Sequence, residues 1–472
     1  MKKITGLILT GFVAVSFTFS QNAGTENKNA AEPDVVKLSI DEAVEYALKN
    51  SRTLKSNDID LELKARASKY SWNVFLPTVQ ASGTMSRTSE FSPSTAAQSK
   101  LFNQLTGGAY PVTSDFADEE SRWSTVGSVS ASWTFTPAYI AKIKVAKAQY
   151  EAGKVSWEKS QNETLTNIKK IYYGLLLQQE SLKIKKTTLE NSRQRMNQAA
   201  ANFKNGAIPE IQYLQTQVNY ENTKPEVDSA EQSLIQQLDM LAFMIGMPVG
   251  TKLELTSSIE PDYVDVTAEE LIEKYSDNDL QIQALRKNMS AAKLGINAAN
   301  LATWVPTLAL SYSWQPVYIG SEGAWHFYKD LGADEKWYNS GSFSATLVWN
   351  LTNMLPWSAN RQQIKDYKQQ AAQLELSIET LKENQKVQVR KAVDTLNQAK
   401  EQIEAMGRNV TLAQRAYDMT ARSYRNGTTE LLDLRDAETS LNQAKLGQIN
   451  QKFQYISALM DLENTLNTKL TK

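Results

Sequence analysis

The chain repeats its own organisation, and this internal repeat constrains its fold more than any other feature. The first half contains Phe-Leu-Pro-Thr-Val at 75–79, and the second half contains Trp-Val-Pro-Thr-Leu at 304–308. In each half there follow a segment of alternating polarity, a polar loop, a second alternating segment and a second proline, at Pro137 or Pro356. The order of these features is the same in both halves.

Each half then continues without proline to a similar turn. The turns are Phe-Lys-Asn-Gly at 203–206 and Tyr-Arg-Asn-Gly at 424–427. A repeat of roughly 220 residues is too long for a solenoid unit and indicates an internal duplication. We therefore predict a signal peptide at 1–20, a flexible leader at 21–37, a first structural repeat at 38–247, a linker at 248–266 and a second structural repeat at 267–470.

The first twenty residues have the pattern of a secretory signal peptide. Lys2 and Lys3 precede an apolar run at 4–19, and cleavage is predicted after Ser20. A membrane-anchor helix is the alternative, but the run is short and contains Thr, Ser and Gly. No other stretch approaches the ~18 uninterrupted apolar residues of a spanning helix. If the mature protein spans a membrane, it must therefore do so as a barrel.

The segments without proline have helical periodicity. Between 364 and 381 apolar or small residues recur at alternating spacings of three and four, and the pattern resumes at 396–424 one residue out of register. This is coiled-coil periodicity with a phase slip. We predict helices near 39–74, 138–204, 208–246, 268–303, 357–424 and 429–469. The two longest would each measure about 100 Å, which indicates a rod rather than a globular domain.

Four segments alternate between apolar and hydroxylated side chains with a period of two. We predict strands near 78–86, 123–135, 307–315 and 342–351. In the second of these, Trp123, Trp133 and Phe135 share one face, and the opposite face is made of Ser and Thr. One such segment alone would suit a half-buried sheet. Four segments of about ten residues, with aromatic residues near their ends, are typical of transmembrane barrel strands.

Four strands cannot close a barrel, because the smallest membrane barrels have about eight. The chain must therefore oligomerise, and two, three or four copies would supply 8, 12 or 16 strands. A wide polar lumen favours twelve or more. The loops at 87–122 and 317–340 are long, polar and acidic, which is typical of the outer face of such barrels. The predicted fold class is mainly α with a membrane β-barrel: a long coiled-coil helical tunnel plus four β-strands per chain.

The composition excludes several functional classes. The chain has 51 Lys and Arg against 52 Asp and Glu, so it lacks the basic footprint of a nucleic-acid-binding protein. It has no cysteine, and His326 is its only histidine, which excludes thiolate metal sites and any site that needs two histidines. The sequence contains no glycine-rich phosphate loop and no nucleophile paired with a base. We predict a protein that is not an enzyme and that uses no cofactor or metal.

The segment at 424–437 carries a resemblance to a known family. Tyr-Arg-Asn-Gly-Thr-Thr-Glu-Leu-Leu-Asp-Leu-Arg-Asp-Ala closely resembles the second periplasmic turn of the TolC-like outer membrane efflux proteins, also called outer membrane factors. The segment at 38–50 is similar to the N-terminal helix of that family, and the resemblance covers about 38–470. Family members are trimers with a 12-strand barrel in the outer membrane and a helical tunnel across the periplasm. The resemblance implies this architecture for the chain.

The resemblance also implies a pore constriction at Asp433, Asp436 and Tyr424. The two aspartates match the paired aspartates that ring the periplasmic entrance in the family, and their spacing places both carboxylates on one helix face. Three copies would gather six negative charges, which favour cations and repel anions. Tyr424 matches a residue that helps to hold the entrance closed. The alternative is that the aspartates are acids in the first turns of a helix that begins near Thr428, where the helix dipole stabilises them.

Gly206 and Gly427 match the turn glycines at the tip of the tunnel, where adaptor proteins dock in this family. Together with Asn205 and Asn426 they are the implied adaptor-docking tips. An Asn-Gly pair also ends a helix for a simple reason, because glycine adopts the positive φ that a helix stop requires. Both interpretations hold together, since the helix stop creates the tip.

Two functions suit these features. The first is a passive trimeric duct of a tripartite efflux or secretion system, in the outer membrane of a Gram-negative bacterium and extending into the periplasm. Its partners would be outer membrane lipid, a periplasmic adaptor (membrane fusion) protein and an inner-membrane transporter. The second is a barrel-anchored coiled-coil protein with a structural or adhesive role. The duplication favours the duct, because it returns two helix tips per chain to the same periplasmic end.

Overall fold

The structure is a computed structural model that describes residues 35–87, 123–318 and 337–471, together with Leu101, Gln104 and Leu105. Within these ranges the α-helices are α1 (Ile40–Asn50), α2 (Arg52–Lys69), α3 (Ala138–Lys204), α4 (Glu210–Ile245), α5 (Ala268–Tyr275), α6 (Leu280–Trp304), α7 (Ala359–Arg425) and α8 (Leu431–Leu466). The strands are β1 (Val36–Leu38), β2 (Thr78–Arg87), β3 (Trp123–Phe135), β4 (Leu253–Leu255), β5 (Thr307–Tyr318) and β6 (Trp337–Val348). The predicted signal peptide, most of the predicted leader and most of the two polar loops lie outside the described residues.

Two long helices, α3 and α7, determine the shape of the molecule. Each has 67 residues, which corresponds to about 100 Å at 1.5 Å per residue. Each turns back into a helix of 36 residues, α4 or α8, that packs along it, so the chain forms two helical hairpins. None of the described helices combines the length and the apolar character that a membrane crossing requires. The helices predicted at 138–204 and 357–424 from their periodicity are confirmed.

Two other predicted helices are divided, so their prediction as single elements is wrong. The helix predicted at 39–74 bends at Ser51 between α1 and α2 and ends in a 3₁₀ turn at Ser71–Phe75. The helix predicted at 268–303 is interrupted by a 3₁₀ turn at Ser276–Asn278. It begins again as α6 where the Asp279 carboxylate accepts hydrogen bonds from two backbone N–H groups of the next turn. Neither break contains Pro or Gly. The first break coincides with the burial of Ser51, and the second with the Asp279 cap.

Four strands form one antiparallel sheet in the order β2-β3-β5-β6. β2 pairs with β3 in the first half of the chain, β5 pairs with β6 in the second half, and β3 pairs with β5 between the halves. Within the described residues, β2 and β6 are therefore the two edges of the sheet. The strand predicted at 342–351 is displaced: β6 begins at Trp337, because it pairs with β5 as far as Tyr318, and it ends at Val348, before a 3₁₀ turn.

The register of the sheet aligns like side chains in rows across all four strands. Residues that lie directly opposite each other share a face. Two polar rows are Thr78, Ser132, Ser311 and Ser344, and Gln80, Ser130, Ser313 and Ser342. An apolar row on the other face is Val79, Ala131, Tyr312 and Phe343. The predicted alternation is confirmed: one face of the sheet is hydroxylated and uncharged, and the other is apolar and exposed in the single chain.

The hydrophobic core lies along the long helices in two clusters. The first surrounds Tyr172 between α3 and α4, and the second surrounds Tyr455 between α5, α7 and α8. The Tyr172 hydroxyl donates to the Leu38 carbonyl at 2.6 Å, and the Tyr455 hydroxyl accepts from the Val264 N–H at 2.8 Å. β1 and β4, which the sequence analysis did not predict, pair in parallel beside the first cluster. This pair fastens the end of the predicted leader to the predicted linker.

Candidate functional site

The two hairpin turns have the same backbone geometry. The Gly206 N–H donates to the Phe203 carbonyl at 2.9 Å, and the Gly427 N–H donates to the Tyr424 carbonyl at 3.0 Å. In each turn the next residue donates to the carbonyl five positions earlier, as in a Schellman helix stop. The φ angles of the two glycines are 72° and 73°. Internal duplication therefore extends to the hydrogen bonds of the tips, and all four predicted tip residues are exposed.

The two aspartates lie on α8 just beyond the second turn. The helix begins at Leu431, three residues later than the predicted start near Thr428. Asp433 is consequently in the first turn and Asp436 in the second, and both are exposed. Tyr424 is half-buried in the last turn of α7. Within one chain, the structure thus places the three predicted residues on the two helices that meet at one tip.

The first tip differs from the second in its charge. Counted from the turn glycines, Gln212 and Gln215 of α4 occupy the positions that Asp433 and Asp436 occupy on α8. The first tip instead has an aromatic contact between its two helices, because the rings of Phe203 and Tyr213 stack with centroids 5.9 Å apart. At these two positions only the second hairpin carries carboxylates, whereas the first hairpin has Glu210 in the first turn of α4.

A buried polar cluster, which was not predicted from the sequence, lies beside the tips. Glu438 of α8 has a side chain that is 7% exposed, and its carboxylate accepts from Asn191 Nδ2 at 2.8 Å and from Arg195 Nη2 at 2.7 Å. Both donors belong to α3. Burial and the negative charge of Glu438 raise the pKa of the Tyr417 hydroxyl on α7. The signal was present in the sequence, because Glu438 stands between Leu434 and Leu441 at the spacing of an apolar helical stripe.

The described residues contain no group of three or more His, Asp or Glu side chains that is arranged to hold a metal ion. The tip region contains two exposed turns, two exposed aspartate carboxylates and one buried ion pair between antiparallel helices. Together with the hydroxylated sheet at the other end of the hairpins, this defines the class of an elongated helical channel subunit.

Comparison with known families identifies the family of the chain. The family model of the outer membrane efflux proteins matches residues 43–247 and 271–468, one match in each half. The chain belongs to the outer membrane efflux protein family.

Solved structures and a curated relative agree with this family. The outer membrane channel CmeC of Campylobacter jejuni is similar with a TM-score of 0.70 and 14% identity, over 90% of this chain and 85% of that chain. The outer membrane protein VceC of Vibrio cholerae gives a TM-score of 0.66 at 15% identity, over 91% and 96% of the two chains. The nodulation protein T of Rhizobium leguminosarum bv. trifolii is 22% identical over 363 residues, which are 72% of this chain and 71% of that protein. The structural similarities show that the fold is shared.

Proposed function

We propose that the protein is a passive trimeric duct that carries substrates from an inner-membrane pump across the periplasm and the outer membrane. The observation that carries the proposal is the four-stranded sheet with its two edges. One face of this sheet is hydroxylated, the other is apolar, and each half of the chain continues from it into a helical hairpin.

The edges of the sheet support association of several copies. β2 and β6 are edge strands within the described chain, and an edge strand is a template for pairing with another chain. Pairing β2 of one copy with β6 of the next is a head-to-tail contact, and such contacts form a ring when the rotation between successive copies closes. Three copies give a barrel of twelve strands, with the hydroxylated face inward and the apolar face toward lipid.

Exposed apolar side chains on the hairpins support the same arrangement. Ile211 and Val218 of α4 are 60% and 58% exposed in the single chain, and Leu412 and Met419 of α7 are 64% and 69% exposed. The members of each pair are seven residues apart, so each pair forms a stripe along one helix face. Side-by-side packing of neighbouring copies would bury these stripes near the tips.

In this arrangement the tips form the periplasmic end of the duct. Asp433, Asp436 and Tyr424 would form the pore constriction, and the turns at 205–206 and 426–427 would receive a periplasmic adaptor protein coupled to the inner-membrane transporter. The protein would span the outer membrane of a Gram-negative bacterium and extend into the periplasm. The two halves, at 38–247 and 267–470, would be structural repeats joined by the linker at 248–266, after removal of a signal peptide at 1–20.

The test is a mass measurement in detergent combined with planar-bilayer recording of the same preparation. We expect a mass of three chains and discrete conductance steps. A monomer that carries a closed barrel would overturn the trimer. Trimers that never conduct would favour the alternative of a barrel-anchored structural or adhesive protein.

A further inference from the structure

The buried carboxylate of Glu438 joins the two hairpins of the chain. Its Oε1 atom accepts from Asn191 and its Oε2 atom from Arg195, and these donors are one turn apart on α3. One turn along α8, Asn442 Nδ2 donates to Thr188 Oγ1 at 2.9 Å. These contacts form a polar ladder between α3 of the first hairpin and α8 of the second.

The ladder ends at Glu438. Farther from the tips, α3 and α8 are also joined by the Lys170–Asp461 ion pair. Asn162 Nδ2 of α3 donates to Asn467 Oδ1, in the residue that follows α8. Among the described residues, no side-chain hydrogen bond or ion pair between the two hairpins lies nearer the turns than that of Glu438. From Glu438 to the start of α8 at Leu431 the second hairpin extends by roughly 10 Å at 1.5 Å per residue, and the turn lies beyond it.

Burial makes this contact hard to replace. The Arg195 side chain is 12% exposed, and Leu434 and Leu441 of α8 are buried on either side of Glu438. When one partner of a buried ion pair is removed, the other charge remains without water or a counter-charge, which is strongly unfavourable. The contact therefore fixes the distance and the register between α3 and α8 at the position of Glu438.

We propose that Glu438, Asn191 and Arg195 form a clamp that positions the second hairpin against the first and thereby sets the width of the entrance. Asp436 and Asp433 lie two and five residues from Glu438 toward the tip, so a change of helix angle at the clamp moves both carboxylates. The inference rests on the proposed function as a duct. The three residues are positioning residues, since they lie beside the proposed constriction and not in it.

The experiment compares purified trimers of the wild type with Glu438→Gln, Arg195→Met and the charge exchange Arg195→Glu with Glu438→Arg. Single-channel recording reports the occupancy of the open state, and thermal unfolding reports stability. We expect the two single variants to raise open-state occupancy at least about tenfold, because each removes one charge of a buried pair. The charge exchange should return occupancy toward the wild-type value, since the Asn191 amide can turn its oxygen to an arginine.

Lys186→Met is the matched control. The Lys186–Glu231 ion pair has an N–O distance of 2.9 Å, but it joins α3 to α4 within one hairpin and is half-exposed. Its loss should leave the open-state occupancy unchanged.

Three outcomes decide the inference. Folded Glu438→Gln and Arg195→Met trimers with wild-type occupancy would overturn the clamp, even if their unfolding temperature fell. If Arg195→Met does not fold, Glu438→Gln decides, because its amide keeps the shape of the side chain but removes the charge that pairs with Arg195. A wild type that forms no channel would refute the duct itself and the clamp with it.

Discussion

Burial separates two kinds of acidic side chain on the first turns of α8. Asp433 and Asp436 are exposed, whereas Glu438, two residues farther along, is buried against α3. An exposed carboxylate acts on ions in the adjacent solution, and its field is screened by salt. A buried carboxylate acts mainly on the groups that hold it. In the proposed duct, the exposed aspartates would therefore act on permeating ions, and the buried glutamate would position its helix.

Asp433→Asn combined with Asp436→Asn should weaken the cation preference of the channel and its block by multivalent cations, because the proposed ring loses six charges. The effect should be larger at low salt. The fold should survive, since acids in the first turns contribute only about 0.3–1 kcal/mol each through the helix dipole. Reversal potentials in planar bilayers at two salt concentrations measure the change.

Glu221→Gln combined with Asp228→Asn provides the control, since it removes the same charge from exposed positions of α4. Identical reversal potentials and cation block in wild type and in the Asp433, Asp436 variant would leave these aspartates as helix-start acids.

Asp277 provides a pH-dependent contact at the break between α5 and α6. Its pKa is lowered by a hydrogen bond from Arg286, 2.7 Å away, and by the charges of Arg286 and Lys382. A carboxyl whose folded pKa lies below its unfolded value stabilises the fold above the unfolded pKa, about 3.9, and loses this contribution as pH falls through the folded pKa. Asp277→Asn should therefore reduce the decrease in unfolding free energy between pH 7 and acidic pH. The effect should be small, because the residue is exposed. Denaturant unfolding at several pH values measures the unfolding free energy of both proteins. If the free energies of variant and wild type change in parallel with pH, the prediction is wrong.

At the scale of elements, the long helices could be predicted from sequence and the short strands could not. Helical apolar periodicity that continues over about 70 residues predicts a long helix, and α3 and α7 are such helices. β1 and β4 have three residues each, too few for a period of two to be visible. They exist because they pair with each other beside the Tyr172 cluster.

The tips follow the same division between local and distant determinants. Asn-Gly predicts the helix stop locally, and both glycines adopt positive φ. The cluster of Glu438 with Asn191 and Arg195 joins residues more than 240 positions apart, and no local pattern pairs them. Only the position of a glutamate within an apolar stripe indicates that it is buried.

Gly427→Val should weaken adaptor docking and efflux while trimers persist. The φ of 73° strains a β-branched residue, and a Cβ at this glycine meets no atom within 4 Å, so the strain is confined to the exposed turn. Gly427→Asn is the matched control, because asparagine tolerates this region of φ and ψ. Co-purification of the adaptor and drug-susceptibility assays at equal expression measure the effect. Full docking and efflux in Gly427→Val would exclude the turn from the docking surface.

At the scale of the whole molecule, the single chain exposes a large apolar surface to solvent. It includes the outer face of the sheet and the stripes on α4 and α7. Large exposed apolar patches mark contacts with lipid or with other chains. This surface is consistent with the proposed trimer, in which the chain would form one third of the wall of the duct.

Leu412→Ser combined with Met419→Ser should lower the fraction of trimer. Both side chains are exposed in the single chain, so the change should cost the isolated fold little, within about 0.5 kcal/mol per site. The loss of apolar contact with the next copy should instead shift the assembly equilibrium. Arg415→Ser combined with Arg422→Ser removes two exposed side chains at the same spacing on α7 and serves as control. Equal trimer fractions in both double variants, by mass in detergent, would place the copy-to-copy contact elsewhere.

The parallel pair of β1 and β4 joins segments that lie far apart in the sequence, so we expect it to form after the local helical contacts. The Ile40 N–H donates to Ser257 Oγ beside this pair across 217 positions of sequence. Closing so long a loop carries an entropic cost that grows by about 0.6 kcal/mol for each doubling of its length, so the local helical hairpin closes first. β1 precedes the helices in the sequence, but it cannot pair with β4 until the chain as far as residue 255 is in place. When β1 pairs with β4, it joins the two ends of the first half of the chain, and Ile456 of α8 then packs against the same cluster from the second half.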